Sequence, residues 1–237
     1  TYPEGAAQRS EFWPFWSGAK DKEKCGLEAK ETWKLIHRSE IPAGAAVLPC
    51  CCLYSRKRNG VWKCRLVILG NRELGNSQLT YSPTVSNSVV RMSLSHACRH
   101  NMAMACIDYS NAFVNAKIER PVVIKLPKTM REENHDGTAV LLRALYGLRS
   151  SPREWHLCLR EGLRSIGLEA MPDEPGLFRA KDGTICLFFV DDGIVLGKDQ
   201  SVCDAWRAKL LNLWKGETIE PKQDPRFPNF DQYDVLG

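Results

Sequence analysis

The stretch CLFFVDDGIVLG, residues Cys186–Gly197, places two neighbouring carboxylates between two apolar runs that are typical of buried strands. Burying a charged group without a partner is costly, so the pair requires a physical explanation. Gly193 follows the two acids, and Asp and Gly are both favoured in tight turns. The pattern therefore predicts a hairpin at a sheet edge, with Asp191 and Asp192 where one strand meets the next.

A third carboxylate, Asp108, ends another predicted buried strand, Met102–Tyr109. If the two strands are neighbours, three carboxylates converge at one sheet edge, where they repel one another unless cations neutralise them. Mg²⁺ prefers oxygen ligands and is the usual ion where phosphates complete its shell. Two such ions can activate a hydroxyl and steady a leaving pyrophosphate. An ordinary hairpin turn is the alternative interpretation of Asp191 and Asp192.

A second hairpin is predicted earlier in the chain and is basic. Two strand-like runs, Ala45–Ser55 and Val61–Leu69, flank Asn59-Gly60, a dipeptide suited to a tight turn. Lys63 and Arg65 are two residues apart on the second strand, so they share one face. The turn adds the basic residues Arg56, Lys57 and Arg58. A solvated hairpin tip and a movable finger that holds phosphates are both compatible with this pattern.

The rest of the sequence alternates helical and strand patterns. Helices are predicted over residues 19–36, 84–101, 111–118, 151–166 and 201–214. Further strands are predicted over residues 122–126, 140–145, 177–179, 184–190 and 193–196. Residues 1–17 show no periodicity, and residues 216–234 are polar and contain Pro, which predicts a loop. This order predicts an α+β fold with a mostly antiparallel sheet packed on helices.

Composition narrows the class of protein only modestly. The 237 residues suffice for one sizeable domain or two small ones, and the net charge of +5 is compatible with a polyanionic partner. No apolar run is long enough to predict a membrane span. The ten Cys are scattered without a C-x-x-C pair, which favours reduced structural thiols. His96 and His100 are four apart without a further ligand, so a helix surface is favoured over a metal site.

Five blocks of sequence, in order, resemble the reverse transcriptase of copia-type LTR retrotransposons. They cover most of the chain from about Ala19 onward. The blocks are WKCRLVILGN (Trp62–Asn71), YSPTV (Tyr81–Val85), CIDYSNAFVNAKI (Cys106–Ile118), LYGLRSSPREW (Leu145–Trp155) and FFVDDGIVLG (Phe189–Gly197). Their order and spacing make the resemblance specific, and a nucleotidyl cyclase with a similar acid pair is disfavoured.

The resemblance implies the fingers and palm of a right-hand polymerase and RNA-directed DNA polymerase activity. It assigns catalysis and the binding of two Mg²⁺, with Mn²⁺ as an alternative ion, to Asp108, Asp191 and Asp192. Nucleotides would be added from dNTP to a primer 3′-hydroxyl by phosphoryl transfer. The alternative is a catalytically inactive retrotransposon relic or a nucleic-acid-binding module.

The same resemblance assigns the substrate contacts. Lys63 and Arg65 match the basic positions that hold the triphosphate, and the backbone near Tyr109 would border it. Phe113 matches the aromatic that excludes a ribose 2′-hydroxyl. Tyr146 and Gly147 match the segment beside the template and the nascent base pair. One departure, Ala116, stands where the family has Gly, whose backbone shape other residues rarely adopt.

The resemblance also implies partners and a larger context. Expected partners are an RNA template, a DNA primer or RNA–DNA hybrid, dNTPs, and the other Pol polyprotein segments, integrase and RNase H, without membrane association. Residues 1–18 would be a linker or the end of a preceding segment. Residues 19–237 would be the fingers and palm, ending before the thumb and RNase H, with YDVLG (Tyr233–Gly237) resembling the start of the onward block. Cytoplasmic virus-like particles are the expected location, with the nucleus as the alternative.

Overall fold

The computed structural model describes residues 2–57, 59–72, 80–223 and 231–233. The chain divides into two compact units. Unit one comprises Thr1–Tyr81 and Phe113–Trp155, and unit two comprises Ser82–Ala112 and His156–Gly237. The predicted basic residue Arg58 and most of the YDVLG block lie outside the described residues.

Helices and strands are mixed along the chain, as the sequence predicts for an α+β fold. The helices are α1 (Glu4–Gln8), α2 (Trp13–Glu28), α3 (Asn87–Arg99), α4 (Ser151–Ser165) and α5 (Gln200–Leu213). The strands are β1 (Tyr2–Pro3), β2 (Trp33–Leu35), β3 (Val47–Arg56), β4 (Trp62–Ile68), β5 (Ala103–Tyr109), β6 (Lys117–Lys125), β7 (Thr138–Arg143), β8 (Leu168–Met171), β9 (Glu174–Ala180), β10 (Ile185–Phe189), β11 (Asp192–Gly197), β12 (Gly216–Ile219), β13 (Lys222–Gln223) and β14 (Asp231–Gln232).

Unit one contains a six-stranded sheet in the order β1-β3-β6-β7-β2, with β4 also paired to β3. The β3–β6 pair is parallel, and the other pairs are antiparallel. Helix α2 packs on β4 and contributes Trp16 and Leu27 to a core that includes Tyr54 and Leu66. This packing presents the β3–β4 hairpin with one face against α2.

The N-terminal region is more ordered than its sequence suggests. Residues 2–18, whose sequence shows no periodicity, form β1, α1 and the start of α2, and Trp16 is buried. That residues 1–18 are a linker or the end of a preceding segment stays a prediction. Apolar residues on both sides of the first turns of α2 hide the helical period of residues 13–18, which explains why the helix was predicted to begin only at residue 19. The helix predicted over residues 19–36 is also wrong in its bounds, because α2 ends at Glu28 and Trp33–Leu35 is a strand.

Unit two contains an antiparallel six-stranded sheet in the order β12-β5-β11-β10-β9-β8. Helix α3 contributes Val90 and Ala97 to a core with Cys106 and Ile194 of the two central strands. Helix α5 packs on the same two strands, β5 and β11. Ser86 and Asp199 cap the two helices through hydrogen bonds from Val89 N and Val202 N. The sheet is thereby fixed around β5 and β11.

Two further sequence predictions are wrong in unit two and at its boundary. The region 216–234, expected to be loop, contains β12, which gains its structure by pairing with β5. The helix predicted over 111–118 is reduced to one 3₁₀ turn, Ala112–Asn115, before β6 begins. Among the described residues, no helix combines the length and apolarity needed to cross a membrane.

Candidate active site

The acid pair lies at the tip of the β10–β11 hairpin, as the sequence predicts. Phe189 and Asp192 form the last pair of the ladder, so Val190 and Asp191 make a two-residue turn. Such a turn needs a positive φ, which Gly or Asn supplies readily. Here Val190 adopts φ +58°, an outlier for a β-branched residue. The turn therefore holds backbone strain of about 1–3 kcal/mol directly beside the acids.

The third carboxylate lies on the neighbouring strand. Asp108 of β5 is the register partner of Asp192 of β11, which confirms that the two acid-bearing strands are neighbours. Direct cross-strand partners share one face, with Cβ atoms about 4.5–5.5 Å apart. The backbone N–H of Tyr109 donates to the carbonyl oxygen of Asp191 at 2.9 Å, which ties the turn to the end of β5. The fold thus assembles Asp108, Asp191 and Asp192 at one end of the sheet.

Gly193 makes this close arrangement sterically feasible. A Cβ at this position would lie 2.7 Å from a ring carbon of Phe188 and 2.9 Å from a side-chain carbon of Ile107. Neither separation is tolerated by real side chains, so the backbone after the acids needs a residue without a side chain. The Asp-Asp-Gly order therefore combines two acids with the residue that lets β11 pack between its neighbours.

The carboxylates are not fully buried, which answers the question that their apolar flanks raise. Asp108 is exposed, and Asp191 and Asp192 are half-buried, so water still reaches all three residues. Beneath them, burial and then the charge of Asp192 raise the pKa of the Cys106 thiol to about 12. Cys106 is therefore a protonated, inert part of the core at neutral pH.

The acids do not form a ready-made metal cage. Within the described ranges, no group of three or more His, Cys, Asp or Glu side chains is arranged to hold a metal ion. Mg²⁺ seldom uses such a cage, since one or two carboxylates plus water and substrate phosphates commonly complete its shell. The in-register pair Asp108 and Asp192 fits that smaller requirement, with Asp191 next to it in the chain.

A further carboxylate, which was not predicted from the sequence, lies beside Asp108 on strand β12. Glu217 of β12 is the register partner of Asp108 on the side away from Asp192. The three residues therefore lie side by side on one face of three neighbouring strands, and Glu217 is exposed. The polar sequence GETI gives little indication of a strand, so the position became visible only through its pairing.

Tyr109, assigned to the border of the triphosphate, has its side chain in the protein interior. Its hydroxyl donates to the carbonyl oxygen of Leu210 at 3.1 Å, and burial raises its pKa. Its ring stacks against Phe188 with the centroids 6.2 Å apart. Only the backbone of Tyr109 is therefore available for the predicted contact, and that role remains a prediction.

Unit one brings together three of the predicted substrate residues. The guanidinium of Arg65 lies over the ring of Tyr146, 4.7 Å from its centroid, and Tyr146 meets the ring of Phe113 edge-on at 4.7 Å. Arg65 is exposed, and Lys63 lies on the same strand face because the two are separated by one residue. The cationic face of β4 and the predicted sugar-sensing aromatic thus meet through Tyr146.

Gly147 is required by packing in unit one. It has φ +87°, and a Cβ there would lie 2.0 Å from the carbonyl oxygen of Ile68. Next to it, the Tyr146 carbonyl accepts a hydrogen bond of 2.8 Å from Ile68 N. Ala116 has no positive φ, so the backbone at this position does not require Gly.

Comparison with known proteins identifies the family. Residues 30–221 match the family model described as "Reverse transcriptase (RNA-dependent DNA polymerase)". The retrovirus-related Pol polyprotein from transposon RE1 of Arabidopsis thaliana is 27% identical over 198 residues, covering 79% of this chain. The transposon Ty1-DR1 Gag-Pol polyprotein of Saccharomyces cerevisiae is 29% identical over 233 residues, covering 92% of this chain.

A further relative is the retrovirus-related Pol polyprotein from transposon TNT 1-94 of Nicotiana tabacum, 24% identical over 217 residues and 86% of this chain. The chain spans only 13%, 12% and 16% of the lengths of these three relatives, respectively. The resemblance to copia-type elements is thereby confirmed. Since the family model covers most of the sequence, the chain belongs to the reverse transcriptase family.

Proposed function

We propose that this chain carries the catalytic carboxylates of an RNA-directed DNA polymerase that extends a primer by two-metal nucleotidyl transfer. The register of Asp108 and Asp192, inside the region that matches the family, is the observation that supports this proposal most directly. In these terms unit one corresponds to the fingers and unit two to the palm. The partners would be an RNA template, a DNA primer and dNTPs.

The carboxylates would act by holding cations. Asp108 and Asp192 would hold Mg²⁺, and Asp191 would contribute from the turn. When bound, Mg²⁺ would lower the pKa of the primer hydroxyl and neutralise the charge that develops on the phosphates. The new bond forms between the primer 3′-oxygen and the α-phosphorus, pyrophosphate leaves, and the hydroxyl proton passes to solvent.

The residues of unit one would position the nucleotide. Lys63 and Arg65 offer charge-assisted hydrogen bonds to phosphate oxygens, which are stronger than neutral ones. The Tyr146 ring, held between Arg65 and Phe113, would keep the Phe113 ring in a fixed orientation. A fixed ring can reject the extra hydroxyl of a ribonucleotide by steric exclusion.

The first test is primer extension on an RNA template with Mg²⁺ and dNTPs. We expect the double variant Asp191→Asn/Asp192→Asn to lose at least about a thousandfold in rate, because metal stabilisation contributes several kcal/mol. Asp173→Asn, which removes an exposed carboxylate between β8 and β9, is the matched control and should retain the rate. Equal extension by the wild type and the double variant would refute the metal-ligand assignment.

The second test addresses the sugar. Phe113→Ala should incorporate ribonucleotides more readily, while its use of dNTPs provides the internal control for folding and activity.

Lys63→Ala and Arg65→Ala should each raise the apparent KM for dNTP. Unchanged sugar discrimination would remove the role of Phe113, and an unchanged KM would leave the two cations as ordinary surface charges.

A further inference from the structure

Two histidine side chains face each other on the exposed side of helix α3. His96 and His100 are both exposed, and the centroids of their imidazole rings lie 4.3 Å apart with the planes inclined by 43°. The backbone N–H of His100 donates to the carbonyl oxygen of His96 at 3.0 Å, so the helical i, i+4 relation extends to His100. The two rings are therefore neighbours on one face at the C-terminal end of the helix.

The ring nitrogens of this pair are available to an external ligand. Among the residues that the structure describes, no hydrogen bond or ion pair engages either ring. A second pair, His37 and His135 of unit one, differs in this respect, because Nδ1 of His135 accepts a hydrogen bond of 3.0 Å from Gly137 N. The rings of that second pair are also further apart, at 6.1 Å.

The separation of the α3 rings matches two ligands of one metal ion. An imidazole nitrogen lies about 2.0–2.1 Å from a bound transition metal, which puts the ring centroid about 3.2 Å from the ion. Two rings at a right angle around the ion then have centroids about 4.5 Å apart, whereas a tetrahedral angle requires about 5.2 Å. The 4.3 Å between His96 and His100 corresponds to the right-angle arrangement, and the 6.1 Å of the second pair exceeds both values.

Ligand chemistry selects the class of ion. Imidazole suits Zn²⁺, Cu²⁺ and Ni²⁺, and of these Cu²⁺ and Ni²⁺ favour the right-angle geometry. Residues 87–102, which form α3 and its connection to β5, contain no Asp or Glu, so this segment lacks the carboxylates that Mg²⁺ prefers. The partial negative charge at the C-terminal end of a helix favours a cation, whereas the neighbouring Arg99 opposes it. Nitrogen coordination must therefore supply most of the affinity.

We propose that His96 and His100 together bind one divalent transition-metal ion of the Ni²⁺ and Cu²⁺ class, with water completing its shell. Spacing alone favours an ordinary helix surface, and the close approach of the two rings is the observation that points to a site. The site uses none of the three carboxylates and does not depend on the polymerase chemistry. A bound ion would fasten the last turn of α3, which leads through Asn101, with φ +49°, into β5.

The experiment is calorimetric titration of the full chain with Ni²⁺ in excess Mg²⁺, which occupies carboxylate sites. Ni²⁺ is the probe because, unlike Cu²⁺, it does not oxidise free thiols, and the nearby Cys98 is exposed. We expect the tightest site to bind one ion per chain. His96→Ala and His100→Ala should each lower its affinity by about tenfold or more, since each removes one of two linked ligands. Ala favours the helix, so both variants should fold.

A respaced pair separates chelation from the number of histidines. His96→Ala/Ser95→His keeps two exposed imidazoles but places them five residues apart, where they no longer face each other. This variant should lose as much affinity as His96→Ala. Cys98→Ser and His37→Ala are the controls for other ligands and should retain the affinity. Equal affinity in the wild type and the respaced variant, or an equal loss in Cys98→Ser, would overturn the proposal.

Unfolding provides a second readout that is independent of primer extension. An ion held by the folded helix stabilises it, so Ni²⁺ should raise the urea midpoint of the wild type and leave that of the respaced variant unchanged. Asp191→Asn/Asp192→Asn should bind Ni²⁺ as the wild type does. Failure of primer extension with normal Ni²⁺ binding would refute the polymerase proposal alone. Active extension without a specific effect of His96→Ala on Ni²⁺ binding would refute the α3 site alone.

Discussion

The two hairpins of the molecule present their charges in opposite ways. The β3–β4 hairpin has seven register pairs and carries cations along its length, on alternate positions of one face. The β10–β11 hairpin has five register pairs and carries its acids at the tip, where the ladder ends. In the first case the position of a charge follows from the two-residue period of the strand, whereas in the second it follows from the conformation of one turn.

This difference affects how each site tolerates change. A side chain along a ladder is oriented by many backbone hydrogen bonds, so the loss of one contact leaves its direction intact. A side chain at a two-residue tip depends on the φ of Val190 and on contacts such as the hydrogen bond from Tyr109 N to Asp191 O. The acidic hairpin should therefore be sensitive to its turn, and the basic hairpin to the groups that anchor it.

The largest expected effect concerns the anchor of the basic hairpin. Gly147→Ala would place a methyl 2.0 Å from the carbonyl of Ile68, at the end of β4, in a backbone with φ +87°. We expect the free energy of unfolding to fall by about 2–5 kcal/mol, because clash and strain act together. Urea denaturation of the purified variant would measure the loss.

Gly44→Ala is the matched control for that substitution. Gly44 also lies in unit one, with φ +77°, but a Cβ there meets nothing within 4 Å. It should lose only the strain contribution of about 1–2 kcal/mol. Similar losses for the two variants would show that the contact between Gly147 and Ile68 does not anchor the hairpin.

The acidic hairpin offers the opposite test, in which relief of strain stabilises. Val190→Asn should raise the free energy of unfolding by about 1 kcal/mol, because Asn tolerates a positive φ better than a β-branched residue. Asn111, in the same unit, already has φ +53°, so Asn111→Val is the reverse control and should be destabilising. Thermal unfolding of both variants would decide, and a less stable Val190→Asn would contradict the strain assignment.

The free energy of unfolding should depend on pH through Glu23, which contacts the basic hairpin. Glu23 of α2 is buried and accepts a hydrogen bond of 3.2 Å from Leu66 N of β4. Burial raises the pKa of Glu23 above 4.5, although the Leu66 hydrogen bond and the charges of Lys63 and Arg65 partly oppose the shift. A raised pKa means that the folded state disfavours the ionised form, so this residue destabilises the fold above that pKa.

Lowering the pH should remove the destabilisation that Glu23 causes. As pH falls from the raised pKa towards 4.5, the destabilisation by Glu23 disappears. Glu23→Gln keeps an acceptor for Leu66 N, so it should be more stable than the wild type at neutral pH, and the difference should vanish in acid. Glu28→Gln, on the exposed end of α2, is the control, and a Glu23→Gln difference that grows in acid would contradict this account.

The two hairpins also show what sequence can predict. Apolar runs and turn residues located β3, β4, β10 and β11 to within a few residues, because both are local properties of the sequence. The meeting of Asp108 with Asp192 was expected only conditionally, since strand neighbours depend on the whole sheet. Short strands such as β8 and β12 were missed, because pairing with a longer neighbour creates them.

The start of α2 was not predicted from the sequence, and the positions of its aromatic rings explain why. Helix α2 carries buried Trp16 on one side and exposed Phe15 near its start, and exposed Phe12 directly precedes it. Rings on both sides remove the contrast between apolar and polar faces on which helix recognition depends. The contact between Arg65 and Tyr146 was also not predictable, because about 80 residues separate them and local patterns do not record such distances.

The smallest expected effect concerns the row of carboxylates formed by Glu217, Asp108 and Asp192 on the sheet of unit two. Glu217 lies opposite Asp108, whereas Glu169 of β8 lies opposite Arg179 of β9 in the same sheet. Like charges directly opposite each other are destabilising and unlike charges are stabilising, by about 0.2–1 kcal/mol. Without metal, Glu217→Gln should therefore raise the free energy of unfolding, and Glu169→Gln should lower it by a similar amount.

Magnesium should distinguish the two variants further. A cation held by Asp108 and Asp192 would offset the repulsion from Glu217, so the gain from Glu217→Gln should shrink as Mg²⁺ is added. Glu169→Gln, which faces a cation already, should show no such dependence. Unfolding measured in EDTA and across a Mg²⁺ titration would test this, and a gain that is unchanged at saturating Mg²⁺ would argue against a metal ion beside Asp108.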